Sequence, residues 1–252
     1  MPALPAWPSG FAHARLRCRA GTIGVHVTDV RPAFYALRPG GWRDYVTVLH
    51  LPYTAWNLSY VALGAALAPH FRTGRMLWTM AAFALALGVA AHVLDELNGR
   101  PLQTKIGSGV LVSLGLATLT GACAIGVWGA IRWHEPALIA FVAVGVFVVP
   151  GYNLEWFGGA LHNTWGLALA WAAFPVLTAY FAEANTLRPE AVLAAGYAAA
   201  MIVVQRTLST PVRHARRALG TIEGVEPMER SLRILPWANV LLGSALVVAR
   251  LT

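Results

Sequence analysis

Long apolar blocks separated by short polar segments dominate the chain from residue 46 onward. A helix needs about 20 mostly apolar residues to cross a bilayer, and most of these blocks approach that length. They show neither the alternation of a half-buried strand nor the one-sided spacing of a surface helix. The pattern therefore predicts seven transmembrane helices. The predicted spans are residues 46–68, 76–97, 107–131, 136–149, 165–181, 191–208 and 232–249.

The composition agrees with this class of protein. Of the 252 residues, 57 % are hydrophobic and only 12 % are charged, whereas a soluble domain carries about a quarter charged residues. A soluble enzyme, a disordered chain and a nucleic-acid-binding domain are therefore not expected, despite the net charge of +8. The two cysteines, Cys18 and Cys123, offer no metal-ligand spacing and no disulfide framework. We predict an all-α polytopic transmembrane bundle at residues 46–252.

Two polar segments flank or interrupt this bundle. Residues 1–45 contain Arg15, Arg17 and Arg19 but no continuous apolar stretch like that of a signal peptide. We expect them to form a cytoplasmic or interface-lying tail. The segment 206–233 is rich in arginine and is predicted to be a cytoplasmic loop.

The cationic residues predict the orientation in the membrane. Of the 19 Lys and Arg residues, only Arg72, Arg75, Arg132, Arg188 and Arg250 fall on one side of the predicted spans. The positive-inside rule makes the other side cytoplasmic. We therefore expect an integral protein of the plasma (inner) membrane, with its N-terminus in the cytoplasm and its C-terminus outside.

The few ionisable residues of the apolar blocks collect at one end. Starts of odd-numbered spans and ends of even-numbered spans share a membrane side, here the cytoplasmic one. His92, Asp95 and Glu96 also share one face of a helix by their spacing, and ionisable groups within a membrane tend to face a cavity or each other. We expect a cytoplasm-facing polar cavity. Solvated helix ends remain an alternative, and Arg213, Arg216 and Arg217 also suit a surface patch for anionic lipid.

Two sequence segments stand out at the ends of the first two predicted spans. One is Leu49-x-x-Pro52-Tyr-Thr at the entry of the first span, and the other is His92-Val-Leu-Asp95-Glu-Leu-Asn98-Gly-Arg100-Pro101-Leu at the end of the second span. Together they resemble the first half of the UbiA-type intramembrane prenyltransferases. Tyr152 resembles the tyrosine that opens the family's connection between spans 4 and 5. The end of the sixth span has no acid, although the family carries a second Asp-rich motif there.

The resemblance implies a helical bundle around a cavity for a prenyl or other lipidic substrate, with Mg²⁺ neutralising a diphosphate leaving group. Asp95 and Asn98 match the family's first metal–diphosphate motif. We predict prenyl transfer or cyclisation as the function. The predicted catalytic residues are Asp95, Glu96 and His50, and the predicted substrate-binding residues are Asn57, Asn98, Arg100, Tyr152, Asn153, Gln205, Arg206 and Arg213.

Two other functions remain open at this point. Imidazole and carboxylate ligands suit Fe, Mn or Zn better than Mg²⁺, so a metalloenzyme that oxidises or hydrolyses a lipid is the first alternative. A non-enzymatic carrier or binding protein is the second. A nucleic-acid partner is not expected, and the oligomeric state stays open. The predicted metal ligands are His92, Asp95, Glu96, Glu155 and His162.

Overall fold

The computed structural model describes residues 31–252, and every regular element in that part of the chain is a helix. A short helix, α1 (Trp42–Val48), precedes seven longer ones, and a single helical turn (Trp156–Gly159) lies between the fifth and sixth helices. The longer helices are α2 (Leu51–Leu67), α3 (Thr73–Leu97), α4 (Ser108–Arg132), α5 (Leu138–Asn153), α6 (Thr164–Ala184), α7 (Pro189–Leu219) and α8 (Glu226–Leu251).

The prediction of an all-helical protein is confirmed for the described residues, and several helices suit a membrane. Five of them, α3, α4, α6, α7 and α8, are long and apolar enough to cross one. Helix α5 is also apolar but has 16 residues. Large apolar side chains such as Leu116, Ile131 and Leu241 are exposed on the outer faces, as expected where lipid rather than water surrounds the bundle.

The first predicted span, residues 46–68, is divided in the structure. Helix α1 ends at Val48 and α2 begins at Leu51, and the intervening His50 has a left-handed backbone with a φ of 47°. Pro52 lies in the first turn of α2, where a missing backbone N–H costs no intrahelical hydrogen bond. His50 therefore lies in a tight turn at the entrance of α2.

The arginine-rich segment 206–233, predicted to be a loop, is mostly helical. Helix α7 continues through Pro211 to Leu219, and α8 begins at Glu226. The prediction ended the helix at residue 208 because the hydropathy falls there. The structure shows that the helix continues as a partly polar one, so its arginines occupy defined positions on a helical face.

Helix α2 forms the centre of the bundle and packs against α6 and α8. Two glycines allow the close approach of these helices. A Cβ atom on Gly64 would lie 2.2 Å from the Val176 carbonyl oxygen of α6, and one on Gly243 of α8 would lie 2.9 Å from the Ser59 carbonyl oxygen of α2. Small residues at such crossings let backbones pack closely in membranes, where the hydrophobic effect does not drive helix association.

Gly64→Ala is expected to destabilise the bundle by about 1–3 kcal/mol, the usual cost of overpacking a tight core. The added methyl group would meet backbone atoms of α6 that cannot move aside as a side chain can. The free energy of unfolding in mixed micelles, titrated with sodium dodecyl sulfate, measures this effect. Gly196→Ala in α7 is the matched control, because a Cβ atom there meets nothing within 4 Å. Equal stability of the two variants would contradict the proposed role of Gly64.

Candidate functional site

A cavity of about 340 Å³ opens at one end of the bundle, within the usual size range for small-molecule sites. Helix α2 begins at this end, and α3, α5 and α7 end there. The inner wall is apolar and aromatic, with Trp56, Leu167, Trp171, Ile202 and Leu232. The remainder of the lining is largely polar or charged. This combination suits a molecule that has an apolar body and a polar head.

The structure brings most of the predicted site residues into this one cavity. They come from the turn before α2, from α2 itself, from the end of α3, from the end of α5 and its connection to α6, and from α7. Helix periodicity and the alternation of chain direction account for this convergence. The predicted residues that line the cavity are His50, Asn57, His92, Asp95, Asn98, Tyr152, Asn153, Glu155, His162, Gln205, Arg206 and Arg213.

Two predicted residues, Glu96 and Arg100, do not line the cavity. Glu96 is fully buried, and its carboxylate accepts the backbone N–H groups of Leu102 and Thr104 at 2.9 and 2.8 Å. Arg100 donates to the Ile106 carbonyl and to the Ser108 hydroxyl. Both side chains therefore hold the loop between α3 and α4 in place.

Two histidines form one side of the cavity. The rings of His50 and His92 stack with their centroids 4.1 Å apart and their planes 15° from parallel. The His50 Nδ1 atom lies 3.2 Å from the Tyr35 hydroxyl, and the His92 Nε2 atom lies 3.2 Å from the Thr54 hydroxyl. These contacts fix both rings, so that the pair forms an ordered aromatic wall.

The end of α5 and its connection to α6 form another side. The His162 ring stacks on Tyr152 with centroids 4.5 Å apart, and its Nδ1 atom lies 3.1 Å from the Tyr152 carbonyl oxygen. The same nitrogen lies 3.9 Å from the carboxylate of Glu155, which is exposed. Asn98 donates to the Asn153 carbonyl at 3.2 Å, so the end of α5 is joined directly to the end of α3.

The segment before α1 also contributes to the cavity, which the sequence analysis missed. Phe34 and Tyr35 line it, and the segment is held by a hydrogen bond from Arg216 to the Arg31 carbonyl at 2.9 Å. The Arg233 guanidinium lies 5.0 Å from the centre of the Phe34 ring. Burial raises the pKa of the Tyr35 phenol, which therefore stays protonated at neutral pH.

The other cavity residues that the sequence analysis missed include Tyr53, Trp56, Trp171, Arg216 and Arg217. Tyr53 follows Pro52 in the motif that carries the family resemblance, so it could have been included. Arg216 and Arg217 lie in a π-helical turn, residues Ala215–Leu219. That turn changes the angular spacing of side chains, and ordinary helix periodicity does not place them. The two tryptophans lie within apolar runs, where hydropathy alone does not indicate which side chains face a cavity.

The five predicted metal ligands do not form a metal site within residues 31–252, where no three His, Cys, Asp or Glu side chains are placed to hold one ion. Both carboxylate oxygens of Glu96 accept hydrogen bonds from backbone N–H groups, and Glu155 is exposed at the cavity rim. The described residues therefore do not fit a resident metal ion.

We expect detergent-purified protein to retain no stoichiometric Fe, Mn, Zn or Cu, because a transition ion held through purification needs several converging protein ligands. Elemental analysis measures this, with His92→Ala as the control. A near-stoichiometric metal that disappears in His92→Ala would contradict the expectation. It would also favour oxidation or hydrolysis of a lipid, which stays a prediction, as does a carrier function.

Comparison of the chain with protein-family models, with curated proteins and with solved structures gives no match. The likeness to the UbiA-type prenyltransferases accordingly stays a resemblance of two sequence segments.

Proposed function

We propose that this chain is an integral membrane enzyme that admits a prenyl or similar lipidic substrate into the cavity and transfers or cyclises its prenyl group. The observation that carries the proposal is the lining of the cavity, which joins an aromatic and aliphatic wall to a strongly polar mouth at one end of an apolar bundle. A soluble metabolite would not require the apolar wall, and a lipid tail alone would not require the polar mouth.

In this proposal all seven long helices cross the plasma (inner) membrane in a UbiA-like arrangement. The N-terminal side and the cavity face the cytoplasm, and the C-terminus lies outside. The distribution of the cationic residues supports this orientation. The two shorter helices, α2 and α5, are also compatible with crossing the membrane. Helix α2 is enclosed by its neighbours, and α5 is apolar.

The reaction proposed for this site begins when the allylic C–O bond breaks and its electron pair leaves with the diphosphate. The wall of the cavity excludes water from the allylic cation that remains. The faces of Trp56, Trp171 and Tyr152, all lining residues, attract a cation through their π-electrons. A nucleophile or an internal double bond then supplies the electrons of the new bond, and the proton released passes to Asp95.

Release of inorganic pyrophosphate tests the proposal. The full chain, purified in detergent, is incubated with allylic prenyl diphosphates of increasing chain length, and pyrophosphate and prenylated products are quantified. We expect release that depends on chain length, since the apolar wall has a limited extent. Absence of release with every prenyl diphosphate, by protein that remains folded, would overturn prenyl chemistry as the function.

A further inference from the structure

Four arginines of α7 line the cavity, and three of them have no carboxylate partner among the described residues. Arg206 and Arg213 are seven residues apart, a spacing that places them on one face of the helix, and together with Arg217 of the π-helical turn, which lines the same cavity, they form an arginine stripe. We propose that this stripe binds the phosphate or diphosphate group of the substrate directly, without a divalent metal ion. The inference rests on the proposed function and names the chemistry by which the substrate is held.

The ion pairs of the described residues separate these three arginines from their neighbours. Arg216 makes two hydrogen bonds of 2.7 and 2.8 Å to the buried Glu229 carboxylate, and Arg233 pairs with the same group. No carboxylate within residues 31–252 lies within 4.0 Å of the guanidinium groups in the stripe. Arg216 is thus held in an internal ion pair, whereas no such pair occupies the guanidinium groups of the stripe.

Burial makes an anionic ligand the natural partner of this stripe. Arg206 and Arg213 are half-buried, and only Arg217 is largely exposed. Neighbouring cations in a partly desolvated site repel each other, and a bound phosphate would replace that repulsion with attraction. The guanidinium fork also matches pairs of phosphate oxygens better than a lysine does, and the chain contains a single lysine, Lys105.

The acidic groups of the cavity are too few to hold a metal ion against these cations. Asp95 and Glu155 are the two carboxylates that line it, and Glu155 is exposed and paired with His162. The end of α7, residues 205–217, carries the arginine stripe and no carboxylate. The positive charge that would neutralise a leaving diphosphate is therefore already part of the protein.

Binding of inorganic pyrophosphate to the full chain, measured by calorimetry in phosphatidylcholine nanodiscs, tests the inference. The titration is made once with EDTA and once with Mg²⁺. We expect binding in EDTA, weakened by about tenfold or more in Arg213→Gln and in Arg206→Gln, because a hydrogen bond between charged groups is lost. Arg230→Gln is the matched control, since it removes one exposed cation outside the cavity.

The outcomes separate this inference from the proposed function. Binding that requires Mg²⁺ would overturn the metal-free stripe and leave prenyl chemistry standing. An equal loss of affinity in Arg230→Gln would also overturn the inference, since a diffuse surface charge would then be responsible. Absence of binding with and without Mg²⁺, together with absence of pyrophosphate release from prenyl diphosphates, would overturn both.

A second titration identifies the source of the phosphate. If the stripe binds a phospholipid headgroup, phosphatidylglycerol in the nanodiscs would compete with pyrophosphate and lower its measured affinity. If the stripe binds a smaller prenyl phosphate, phosphatidylglycerol would leave that affinity unchanged. The Arg230→Gln variant corrects both measurements for the effect of surface charge. Either result supports phosphate recognition by the stripe, and the two differ only in the molecule that carries the phosphate.

Discussion

Asp95→Asn is expected to lower the turnover of prenyl diphosphate by about 100-fold or more, within the usual contribution of general acid–base groups. Asp95 and Glu155 are the two carboxylates lining the cavity, and Asp95 is the less exposed of them. Asparagine keeps the shape of the side chain but neither its charge nor its ability to take a proton. The rate of pyrophosphate release at saturating substrate measures the effect.

The loss should be specific to Asp95. Glu223→Gln removes an exposed carboxylate on the same side of the bundle, in the connection between α7 and α8, and should leave turnover unchanged. His162→Gln should be milder than Asp95→Asn, because His162 contacts the backbone of Tyr152 and the rim residue Glu155. Full turnover by folded Asp95→Asn protein would show that another group takes the proton.

Glu229→Gln is expected to cost about 3 kcal/mol of unfolding free energy, because removing one member of a buried ion pair leaves the other charge uncompensated. The Glu229 side chain is 3 % exposed and the Arg216 side chain 9 %. Arg216 also bonds the Arg31 carbonyl, so the segment that carries Phe34 and Tyr35 should loosen as well. Titration with sodium dodecyl sulfate in mixed micelles measures the change.

The matched control for this prediction is Glu226→Gln, one turn earlier on α8, since that carboxylate forms no ion pair with the described residues. Its stability should stay within about 0.5 kcal/mol of the unchanged protein, as for most surface substitutions. A double variant, Glu229→Leu with Arg216→Met, should recover much of the loss, because neither charge is then left buried alone. A double variant as unstable as Glu229→Gln would contradict the ion-pair explanation.

The location of the candidate site was predictable from the sequence because it depends on local properties. Apolar run length indicates the helices, and chain alternation puts His50, the end of α3 and the end of α7 at one end. Which polar groups enter the cavity was not predictable in every case. Glu96 has the spacing of a site residue, yet the loop that follows it turns back and offers two N–H groups to its carboxylate.

The opposite end of the bundle also contains contacts that the sequence did not predict. Arg72 and Arg75 were counted only as cations on the outer side. In the structure Arg72 bonds Glu183 and Arg75 pairs with Glu135. These partners lie more than 50 residues away in the chain, so no local pattern reports them. The pairs join α3 to α6 and to the connection between α4 and α5.

The sequence by itself determined that this protein is helical, apolar enough for a membrane and polar at one end of its bundle, because hydropathy and helical period are properties of neighbouring residues. Only the tertiary structure determined which arginines of α7 form an internal ion pair and which have no carboxylate partner. Arg216 lines the cavity but pairs with Glu229 of the next helix, whereas Arg206, Arg213 and Arg217 line it with no carboxylate of the described residues within 4.0 Å. That difference depends on Glu229 of α8, which packs beside α7, and this contact between two helices arises only when the chain folds.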